Sequence, residues 1–526
     1  MVSYNEKYRK NEFKKIKFLI DNLYKEDNYS FQLMNKNYIP KIIYIIFLLT
    51  LIIRLYIAFQ TPHFSDDEAY FTLRQIESIK ETGTPLFQDE LSYGGRTYFF
   101  LPVFHYILAF FSLFFSTVAI AKIIPNIFAS SLIIIIYLIV FHLTKDKKVS
   151  TLTAFISSSI PIYISETINS VSVYSLSIPL TFLLLYFFLK IRAKKFLYLF
   201  LITISIFLVS SAYLLIFILS MLLFILFSWV EGFKPTKTEI EITIFSLFLS
   251  IWFYFIFYQD ALLMHGYKII WQNIPNEVIT QYFSNINIIS SIYEIGVIPL
   301  ITGLFVIYHY VFNKKKKSIY FILSMGIIIT ILLLQKYIIL NIGLVYMGIL
   351  LSILLGEFLI IVISYIKQTK FSKFRNYFLL IFLLLFLFTS FFPAITYAKN
   401  KVMESDPAKK VSALKFLESI SNEDDLVVGS IYDGHLITYS SNRKNLIDQN
   451  FLLIDATQRL RDLRTLYTSA IETKPIEIMK KYNANHILIT KEALEYYNIT
   501  KISYVDNECF PLTYAGKEVK IYSLKC

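Results

Sequence analysis

The chain places three acidic residues in a row just after its first apolar segment, in the stretch His63-Phe64-Ser65-Asp66-Asp67-Glu68-Ala69-Tyr70-Phe71. A carboxylate cluster at a membrane surface is costly unless it meets a cation, a metal or a reacting proton. Ser65 or Asp66 is a suitable N-cap, so we predict a helix from Asp67 onward. One face of that helix presents the Asp67 carboxylate, two aromatic rings and the guanidinium of Arg74. The alternative is a solvated, capped loop helix.

The composition indicates a polytopic membrane protein. Of the 526 residues, 56% are hydrophobic and 17% are aromatic, and the mean hydropathy is +0.56. Soluble domains of this length are not so apolar. The net charge of +13 does not indicate nucleic-acid binding, because the basic residues fall in short loops between apolar runs.

Loop charges predict the topology. The basic segment 1–41 is placed in the cytoplasm, and the other lysine clusters fall on the same side if the chain crosses the bilayer about eleven times. The predicted spans are 42–59, 119–142, 151–165, 173–189, 196–210, 213–230, 242–258, 292–312, 319–334, 338–366 and 377–396. The acidic stretch then lies in a first outer loop, 60–118, of a transmembrane domain 42–396.

The stretch Phe99–Ser116 is also apolar enough to span, and it decides the orientation of everything after it. If it crossed the bilayer, the basic loops that follow would change sides. We therefore predict an interfacial or re-entrant helix within the first outer loop, and Pro102 suits the first turn of such a helix.

Residues 397–526 have an ordinary mixed composition and predict a small extracytoplasmic α/β domain. The expected elements are helices at 408–421, 452–471 and 475–483, strands at Leu426–Ile431 and His486–Thr490, and a hairpin over Leu512–Leu524 that turns at Ala515-Gly516. The apolar members of helix 408–421 are Val411, Leu414, Phe416 and Leu417. Cys509 and Cys526 are compatible with a disulfide and equally with free thiols.

A basic N-terminus, one span and an outer loop that opens with Asp67-Glu68 and reaches Phe71 resemble the GT-C superfamily of membrane glycosyltransferases. That group includes protein O-mannosyltransferases, lipid A aminoarabinose transferases and the catalytic subunits of oligosaccharyltransferases. The resemblance covers nearly the whole chain. It implies a multi-pass protein of the cell membrane that moves a sugar from a polyprenyl-phosphate carrier, such as dolichyl phosphate, to a protein, glycan or lipid.

A second match lies in the C-terminal domain. The stretch 429–439, followed by Asn442-Arg443 and 447–450, resembles the Trp-Trp-Asp-Tyr-Gly region with which oligosaccharyltransferases bind the Ser or Thr of an acceptor sequon. The resemblance makes Tyr432, Asp433, His435 and Arg443 candidate acceptor-binding residues. Both tryptophans are missing and the order Tyr432-Asp433 is transposed, so ordinary sequon recognition is not expected. The alternative is an Asp-Gly turn between two strands.

The second outer loop carries few acidic residues. Members of the superfamily commonly have an Asp or Asp-x-Asp there, whereas this chain offers Glu166 and Asn169, which are spaced to face one way on a helix. A divalent metal usually needs several oxygen ligands, and Asp67 with Glu166 is a thin set. We therefore expect no cofactor and favour metal-independent chemistry over a divalent metal. The alternative for Glu166 is a carboxylate paired with a nearby base.

The chemistry of such a transfer assigns roles to these residues. One base must take the acceptor proton, and we predict Asp67, because its like-charged neighbours Asp66 and Glu68 raise its proton affinity. Arg74 and Arg96 are candidates for the donor phosphate, since a guanidinium matches phosphate oxygens. The alternative for both arginines is contact with lipid headgroups.

Two other functions remain open at this level. One is a non-catalytic relative with the same fold that serves as a binding protein, and the other is a transporter of lipid-linked sugars. A cavity shared by Asp67 and Glu166 favours an enzyme over a binding protein. A transporter needs ionisable residues or broken helices near the middle of its spans, and most of the spans lack the former.

The topology can be tested by cysteine labelling. We expect a membrane-impermeant thiol reagent to modify cysteines introduced at Ser78 and Ser405 in intact cells, because both positions are predicted to be extracytoplasmic. A cysteine introduced at Lys147 in a basic loop should react only in inside-out vesicles. Labelling of the first two positions only in inside-out vesicles would show that the orientation is reversed.

Overall fold

The computed structural model describes residues 39–282, 287–370, 372–404, 408–505 and 508–526. Nearly all of the basic segment 1–41 therefore lies outside the described residues, and its predicted cytoplasmic location stays a prediction. Up to Glu404 the described chain is almost entirely helical, and the larger sheet follows after it.

The helices of the first part begin and end close to the predicted apolar segments. They are α1 (Lys41–Ala58), α2 (Asp67–Thr82), α3 (Val103–Ser112), α4 (Thr117–Thr144), α5 (Lys147–Ser158), α6 (Pro161–Thr167), α7 (Tyr174–Leu189), α8 (Lys194–Leu208), α9 (Leu214–Val230), α10 (Lys237–Phe257), α11 (Gln259–His265), α12 (Asn276–Tyr282), α13 (Ile288–Ile295), α14 (Val297–Tyr308), α15 (Lys317–Leu334), α16 (Leu340–Lys367), α17 (Arg375–Phe386) and α18 (Phe392–Glu404). The predicted helix start at Asp67 is confirmed.

The count of about eleven crossings is not confirmed. Among the described residues, six helical segments are long and apolar enough to cross a membrane: α1, α4, α10, α15, α16 and Asn376–Asn400. The pair α13 and α14 passes the same test only as one span, and it is bent by 91°. The predicted span 151–165 is divided into α5 and α6, because Pro161 disfavours a helical conformation at Ile160, whose φ and ψ are −64° and 130°.

The stretch Phe99–Ser116 forms only the ten-residue helix α3. At 1.5 Å per residue such a helix is about 15 Å long, half the thickness of a bilayer core. The rings of Phe110, Phe114 and Phe115 at its end are exposed. These features fit the predicted interfacial or re-entrant helix.

The last part of the chain contains the predicted small α/β arrangement. Its helices are α19 (Ala408–Ile420), α20 (Gly434–Ser441), α21 (Thr457–Thr468), α22 (Thr473–Tyr482) and α23 (Lys491–Tyr496), and its strands are β3 (Leu426–Val428), β4 (Lys444–Asn445), β5 (Ala484–Thr490), β6 (Leu512–Ala515) and β7 (Val519–Ser523). The strand order is β4-β3-β5-β7-β6. Strand β3 runs parallel to β4 and β5, whereas β7 pairs antiparallel with β5 and β6.

Two details of this part differ from the sequence-based expectation. The strand predicted to reach Ile431 ends at Val428, because the chain turns so that Asp433 N donates to Ser430 O. Phe416 is one of the apolar members predicted for α19, but unlike the other three its side chain is exposed, at 40%, and its ring lies 5.5 Å from that of Tyr514. Cys509 and Cys526 form a disulfide with a Cα–Cα distance of 5.0 Å, which decides between the two states left open by the sequence.

The first loop contributes a short ribbon, β1 (Gln88–Asp89) with β2 (Arg96–Thr97), that docks onto the C-terminal part of the chain. The fully buried Asp448 is the centre of this contact. Its Oδ2 accepts hydrogen bonds from Ser92 Oγ at 2.5 Å and Tyr98 Oη at 3.0 Å, and its Oδ1 lies 3.6 Å from Arg96 Nη1. The neighbouring arginine and His435 hold the pKa of Asp448 below its usual value despite burial.

The contacts of Asp448 predict that its loss destabilises the protein more than the loss of an exposed carboxylate does. We expect Asp448→Ala to lower the free energy of unfolding by about 3–5 kcal/mol, because it leaves two hydroxyls buried without their acceptor and removes the carboxylate that pairs with the Arg96 guanidinium. Asp424→Ala is the matched control, since Asp424 forms an ion pair with Lys444 at an exposed position. Thermal unfolding in detergent measures the stability of both variants. Equal losses of stability in the two would contradict the central role of Asp448 in the contact.

Candidate functional site

An open cavity of about 710 Å³ lies between the first loop, the membrane-spanning helices and the C-terminal part. Its lining includes Asp66, Asp67, Glu68, Tyr70, Glu166, Ser170, Ser172, Tyr174, Asn341, Lys410, Tyr432, Asp433, Gln449 and Glu492. Asp67 and Glu166, which are separated by two predicted spans in the sequence, therefore line the same cavity. Six carboxylates and a single lysine are among the lining residues, so the cavity is strongly acidic.

Asp67 connects the first loop to helix α20. Its two carboxylate oxygens accept hydrogen bonds from the backbone amides of His435 at 3.1 Å and Leu436 at 2.8 Å. A carboxylate at a helix N-terminus is stabilised by the amides and the helix dipole. Burial raises the pKa of Asp67 well above its usual value, while the two amides act in the opposite direction. Because both oxygens already have a donor, the contacts favour a structural role for Asp67 over that of a mobile base.

Glu68 is better placed for proton transfer. Its side chain is exposed to the cavity, and no backbone amide is bound to it in the described structure. The protein around the cavity displaces bulk water and, together with the neighbouring Asp66 carboxylate, raises the pKa of Glu68 to about 7. A carboxylate that titrates near neutral pH is suited to accept a proton. Asp66 itself precedes α2 as its N-cap residue, without a side-chain hydrogen bond to the helix.

Asp433 is held by an ion pair at the rim of the cavity. Lys410 Nζ lies 2.9 Å from Asp433 Oδ1 and 3.2 Å from Glu492 Oε2. Burial alone would lower the pKa of Lys410, but the two carboxylates raise it to about 12. Ser430 and Thr490 also donate to Asp433 Oδ2. These contacts fix the turn at Asp433 and do not leave its carboxylate directed at an acceptor.

The other acceptor candidates of the C-terminal part are distributed over three places. Tyr432 lines the cavity, and its ring lies 5.6 Å from that of Tyr496. His435 presents its backbone amide to Asp67, while its side chain is buried. Arg443 does not line the cavity: it donates to the carbonyls of Glu418 and Ser421 at the end of α19. Its contacts are those of a helix cap and do not support the predicted acceptor role.

The two arginines predicted to bind a phosphate are both engaged elsewhere. Arg74 makes a bidentate ion pair with Asp89, with N–O distances of 2.6 and 2.8 Å. Arg96 lies between the rings of Tyr93 and Tyr98 and donates to the carbonyls of Asn450 and Leu452. Neither arginine is among the residues lining the cavity. The predicted phosphate role is therefore not supported by their contacts.

The second-loop residues behave differently from each other. Glu166 lines the cavity, where its Oε1 accepts a hydrogen bond of 3.1 Å from Asn341 Nδ2. Asn169 is buried behind the acidic stretch and donates to Ser65 Oγ at 2.9 Å and to His63 O at 3.2 Å. Its own side-chain oxygen accepts from Lys122. Asn169 therefore positions the acidic stretch and does not face the cavity.

Lys122 was not recognised from the sequence as a site residue. It lies in α4 with 1% of its surface exposed, and its ammonium donates to the carbonyls of Ala58, Thr61 and His63 at 2.5, 2.6 and 3.1 Å. These carbonyls belong to the turn that leads into the acidic stretch. A lone lysine inside an apolar run was the available signal, because a buried charge in a span usually has a function.

Two smaller spaces continue from the cavity. A chamber of about 260 Å³ shares Glu68, Ser172, Tyr174, Ile339 and Gln449 with it. An apolar groove of about 450 Å³ shares Ala212, Tyr213, Tyr258, Gln272 and Leu452 with the chamber. The shared residues show that the three spaces adjoin in one order: acidic cavity, chamber, apolar groove. Glu68 lies where the cavity and the chamber meet.

Metal binding was not expected from the sequence, and that expectation remains a prediction. Within the part of the chain that the structure describes, no group of three or more His, Cys, Asp or Glu side chains is arranged to hold a metal ion. Four of the six cavity carboxylates are held by protein donors: Asp67 by two amides, Asp433 and Glu492 by Lys410, and Glu166 by Asn341.

Comparison with known proteins identifies the fold. No family model matches the chain, and no curated protein matches it by sequence. Among solved structures it resembles the Archaeoglobus fulgidus oligosaccharyltransferase AglB in complex with an inhibitory peptide and a dolichol-phosphate, with 13% identity, a TM-score of 0.64, and coverage of 86% of this chain and 70% of that chain. It also resembles the same organism's oligosaccharyltransferase tethered with an NVT-sequon peptide, with 12% identity, a TM-score of 0.65, and coverage of 94% and 75%.

A third similar structure is ArnT from Cupriavidus metallidurans bound to undecaprenyl phosphate. The identity is 10%, the TM-score is 0.55, and the match covers 91% of this chain and 97% of that chain. Both kinds of neighbour are members of the GT-C superfamily, so the chain has the GT-C fold that its acidic stretch predicted. Identities this low show the fold and leave the reaction to be argued from the site.

Proposed function

We propose that this chain is a membrane glycosyltransferase that moves a sugar from a polyprenyl-phosphate donor to a protein, glycan or lipid acceptor. The observation that supports this most directly is the order of the three spaces: an apolar groove, a polar chamber and an acidic cavity adjoin one another. A lipid-linked sugar has the same order of chemical groups, namely a hydrocarbon chain, a phosphate and a sugar. The GT-C neighbours solved with dolichol-phosphate and undecaprenyl phosphate support the same class of donor.

The apolar groove suits an isoprenoid chain. Leu215, Leu219, Phe255 and Leu262 line it and are themselves substantially exposed. It is bordered by α9 and by the end of α10, which is one of the helices long and apolar enough to span a membrane. A hydrocarbon chain that enters the groove covers apolar surface, which is favourable at about 25 cal/mol per Å².

The acidic cavity is suited to receive the acceptor. In the proposed reaction a nucleophilic atom of the acceptor attacks the anomeric carbon of the sugar, and its proton passes to the carboxylate of Glu68. The bond between the anomeric carbon and the phosphate oxygen breaks, and the phosphate leaves with the electron pair. Because the phosphate is a good leaving group, the step requires a base and no general acid.

Glu68 replaces Asp67 as our candidate base. Glu68 lies at the junction of the chamber and the cavity, where the sugar of a bound donor would be. We assign Asp67 a structural role, since its hydrogen bonds to α20 hold the C-terminal part against the first loop. Glu166 faces the same cavity and is a candidate for contact with the acceptor or the sugar.

The proposed function includes a location for the cavity relative to the membrane. We place the cavity and the C-terminal part on the extracytoplasmic side, as the loop charges predict, and the Cys509–Cys526 disulfide is consistent with an oxidising compartment. A non-catalytic relative remains the rival, and the shared cavity of Asp67 and Glu166 favours the enzyme. The acceptor is not restricted to a peptide, because the C-terminal turn lacks the tryptophans of the sequon-binding region.

The role of Glu68 predicts the pH dependence of turnover. The deprotonated form is active, so turnover should rise with pH through about 7 and become constant above it. Glu68→Gln should reduce turnover by roughly 10²–10⁴-fold and abolish that rise. Glu81→Gln, an exposed position on the same helix, serves as the control and should behave like the unmodified chain. The measurement is initial rate against pH with a polyprenyl-phosphate sugar.

The variant Asp67→Asn then distinguishes the role of Asp67 from that of Glu68. An Asn side chain has one oxygen acceptor for two amides, so we expect lower thermal stability and a smaller loss of turnover than in Glu68→Gln. Full turnover in Glu68→Gln, together with an inactive but folded Asp67→Asn, would return the role of base to Asp67.

The proposed chemistry needs no divalent metal. We expect turnover to survive excess chelator, because four of the six cavity carboxylates are already held by protein donors. The assay compares chelator-treated enzyme with and without added Mn²⁺ or Mg²⁺. Activity that is abolished by the chelator and restored by either ion would contradict this prediction.

A further inference from the structure

The chamber between the cavity and the groove has an unusual lining for a phosphate site. Among the described residues that line it, none is a lysine or an arginine. The one carboxylate is that of Glu68, where the chamber meets the cavity. The other polar groups are hydroxyls, amides and two imidazoles, contributed by Thr72, Ser172, Tyr174, Ser210, Ser211, Tyr213, Tyr258, Gln272, Gln449, Asn450, His105 and His435. A bound anion would therefore depend on neutral donors.

Two helices begin at this chamber with the same local sequence pattern. Helix α7 is entered through Ser172-Val173-Tyr174 and α9 through Ser211-Ala212-Tyr213. In each case the tyrosine amide donates to the serine Oγ two residues earlier, at 3.2 and 3.3 Å. The serine oxygens thus act as acceptors to the backbone, which leaves their hydrogens to be donated. The hydroxyls of Tyr174 and Tyr213 lie 3.1 Å apart, so the two helix starts meet.

The helix starts also contribute charge. Helices α7 and α9 are 16 and 17 residues long, and their N-termini line the same chamber. The N-terminus of a helix carries roughly half a positive elementary charge and is a common position for phosphate groups. Two such ends at one chamber supply positive potential without a charged side chain.

Two buried histidines give an independent indication of a missing partner. His105 is 4% exposed and His435 is 3% exposed, and each lines the chamber. Neither Nδ1 atom has a hydrogen-bond partner among the described residues, although His435 Nδ1 lies 3.8 Å from Asp448 Oδ2. The ring of Phe71 contacts both imidazoles. Buried polar atoms of this kind are normally satisfied, so both nitrogens call for a partner that the described residues do not supply.

We propose that this chamber holds the phosphate of the lipid-linked donor, through the two serine–tyrosine helix starts and the buried imidazoles rather than through arginine. The inference rests on the proposed function and adds the residues that bind the leaving group. The position fits, because a phosphate in the chamber puts its hydrocarbon chain at the groove and its sugar at Glu68. When the phosphate departs as the leaving group, hydroxyl and imidazole donors stabilise the negative charge that develops on it.

The test is the binding of a polyprenyl phosphate to the full-length protein in lipid nanodiscs. Tyr213→Phe removes one hydroxyl and keeps the ring, and we expect affinity to fall about tenfold or more, since hydrogen bonds to charged groups are strong. His105→Phe should weaken binding similarly while thermal stability is kept or increased, because it removes an unsatisfied buried nitrogen. Tyr198→Phe, at an exposed position on α8, is the control and should change nothing.

Three ligands distinguish the contribution of the phosphate. The unmodified protein should bind polyprenyl phosphate much more tightly than the polyprenol that lacks the phosphate, and the two variants should remove most of that difference. Inorganic phosphate should compete only at far higher concentration, because it lacks the contacts of the chain with the groove. Equal affinities for the phosphate and the polyprenol, or for inorganic and lipid phosphate, would overturn the inference.

Failure of this inference can be told apart from failure of the proposed function. If unmodified protein transfers sugar and binds polyprenyl phosphate, but folded Tyr213→Phe and His105→Phe bind it unchanged, the phosphate site lies elsewhere and the function stands. If the unmodified protein shows neither transfer nor phosphate-dependent binding, the proposed function itself is wrong.

Discussion

The structure depends on the contact between the first loop and the C-terminal part, which is made by two carboxylates. Asp67 of the loop binds the first amides of α20, and Asp448 of the C-terminal part binds the ribbon of the loop. Each carboxylate thus belongs to one side of the contact and accepts its hydrogen bonds from the other side. A buried carboxylate without its donors costs several kcal/mol, so each of these carboxylates depends on the donors that the other side supplies. The cavity, its exposed Glu68 and the turn at Asp433 all lie along this junction.

Much of the fold could be predicted from the sequence because its signals are local. Long apolar runs between basic loops gave the positions of the helices, and the break at Pro161 is the kind of exception that a proline produces. In the C-terminal part, helices α19, α21 and α22, strands β3 and β5 and the hairpin of β6 and β7 were likewise found from alternation and turn residues, whereas α20, α23 and β4 were not predicted. The number of crossings was not predictable, because whether a helix such as α3 crosses the membrane depends on how many residues are helical and on the helices packed around it.

The site was predicted less completely, for a physical reason. The acidic stretch was singled out from the sequence and lies at a cavity, but the roles within it depend on partners far away in the chain. Arg74 and Arg96 were predicted to bind phosphate from their residue type alone. In the structure Arg74 pairs with Asp89, and Arg96 donates to two backbone carbonyls. Asp67 and Glu68 are adjacent and chemically similar, and only the amides at the start of α20 distinguish them. The serine–tyrosine helix starts are ordinary residues until the fold brings them together.

The long separation of Asp67 from its amide partners also bears on how the protein is made. The two are 368 residues apart, so at 5–20 residues per second the ribosome needs on the order of twenty to seventy seconds to deliver the second after the first. Throughout that interval the acidic stretch emerges without α20. Lys122, which follows only 59 residues after His63, is available to clamp the turn early. The lysine is therefore suited to act as a scaffold during biosynthesis, and a chain truncated before its last part would contain the carboxylates without an assembled site.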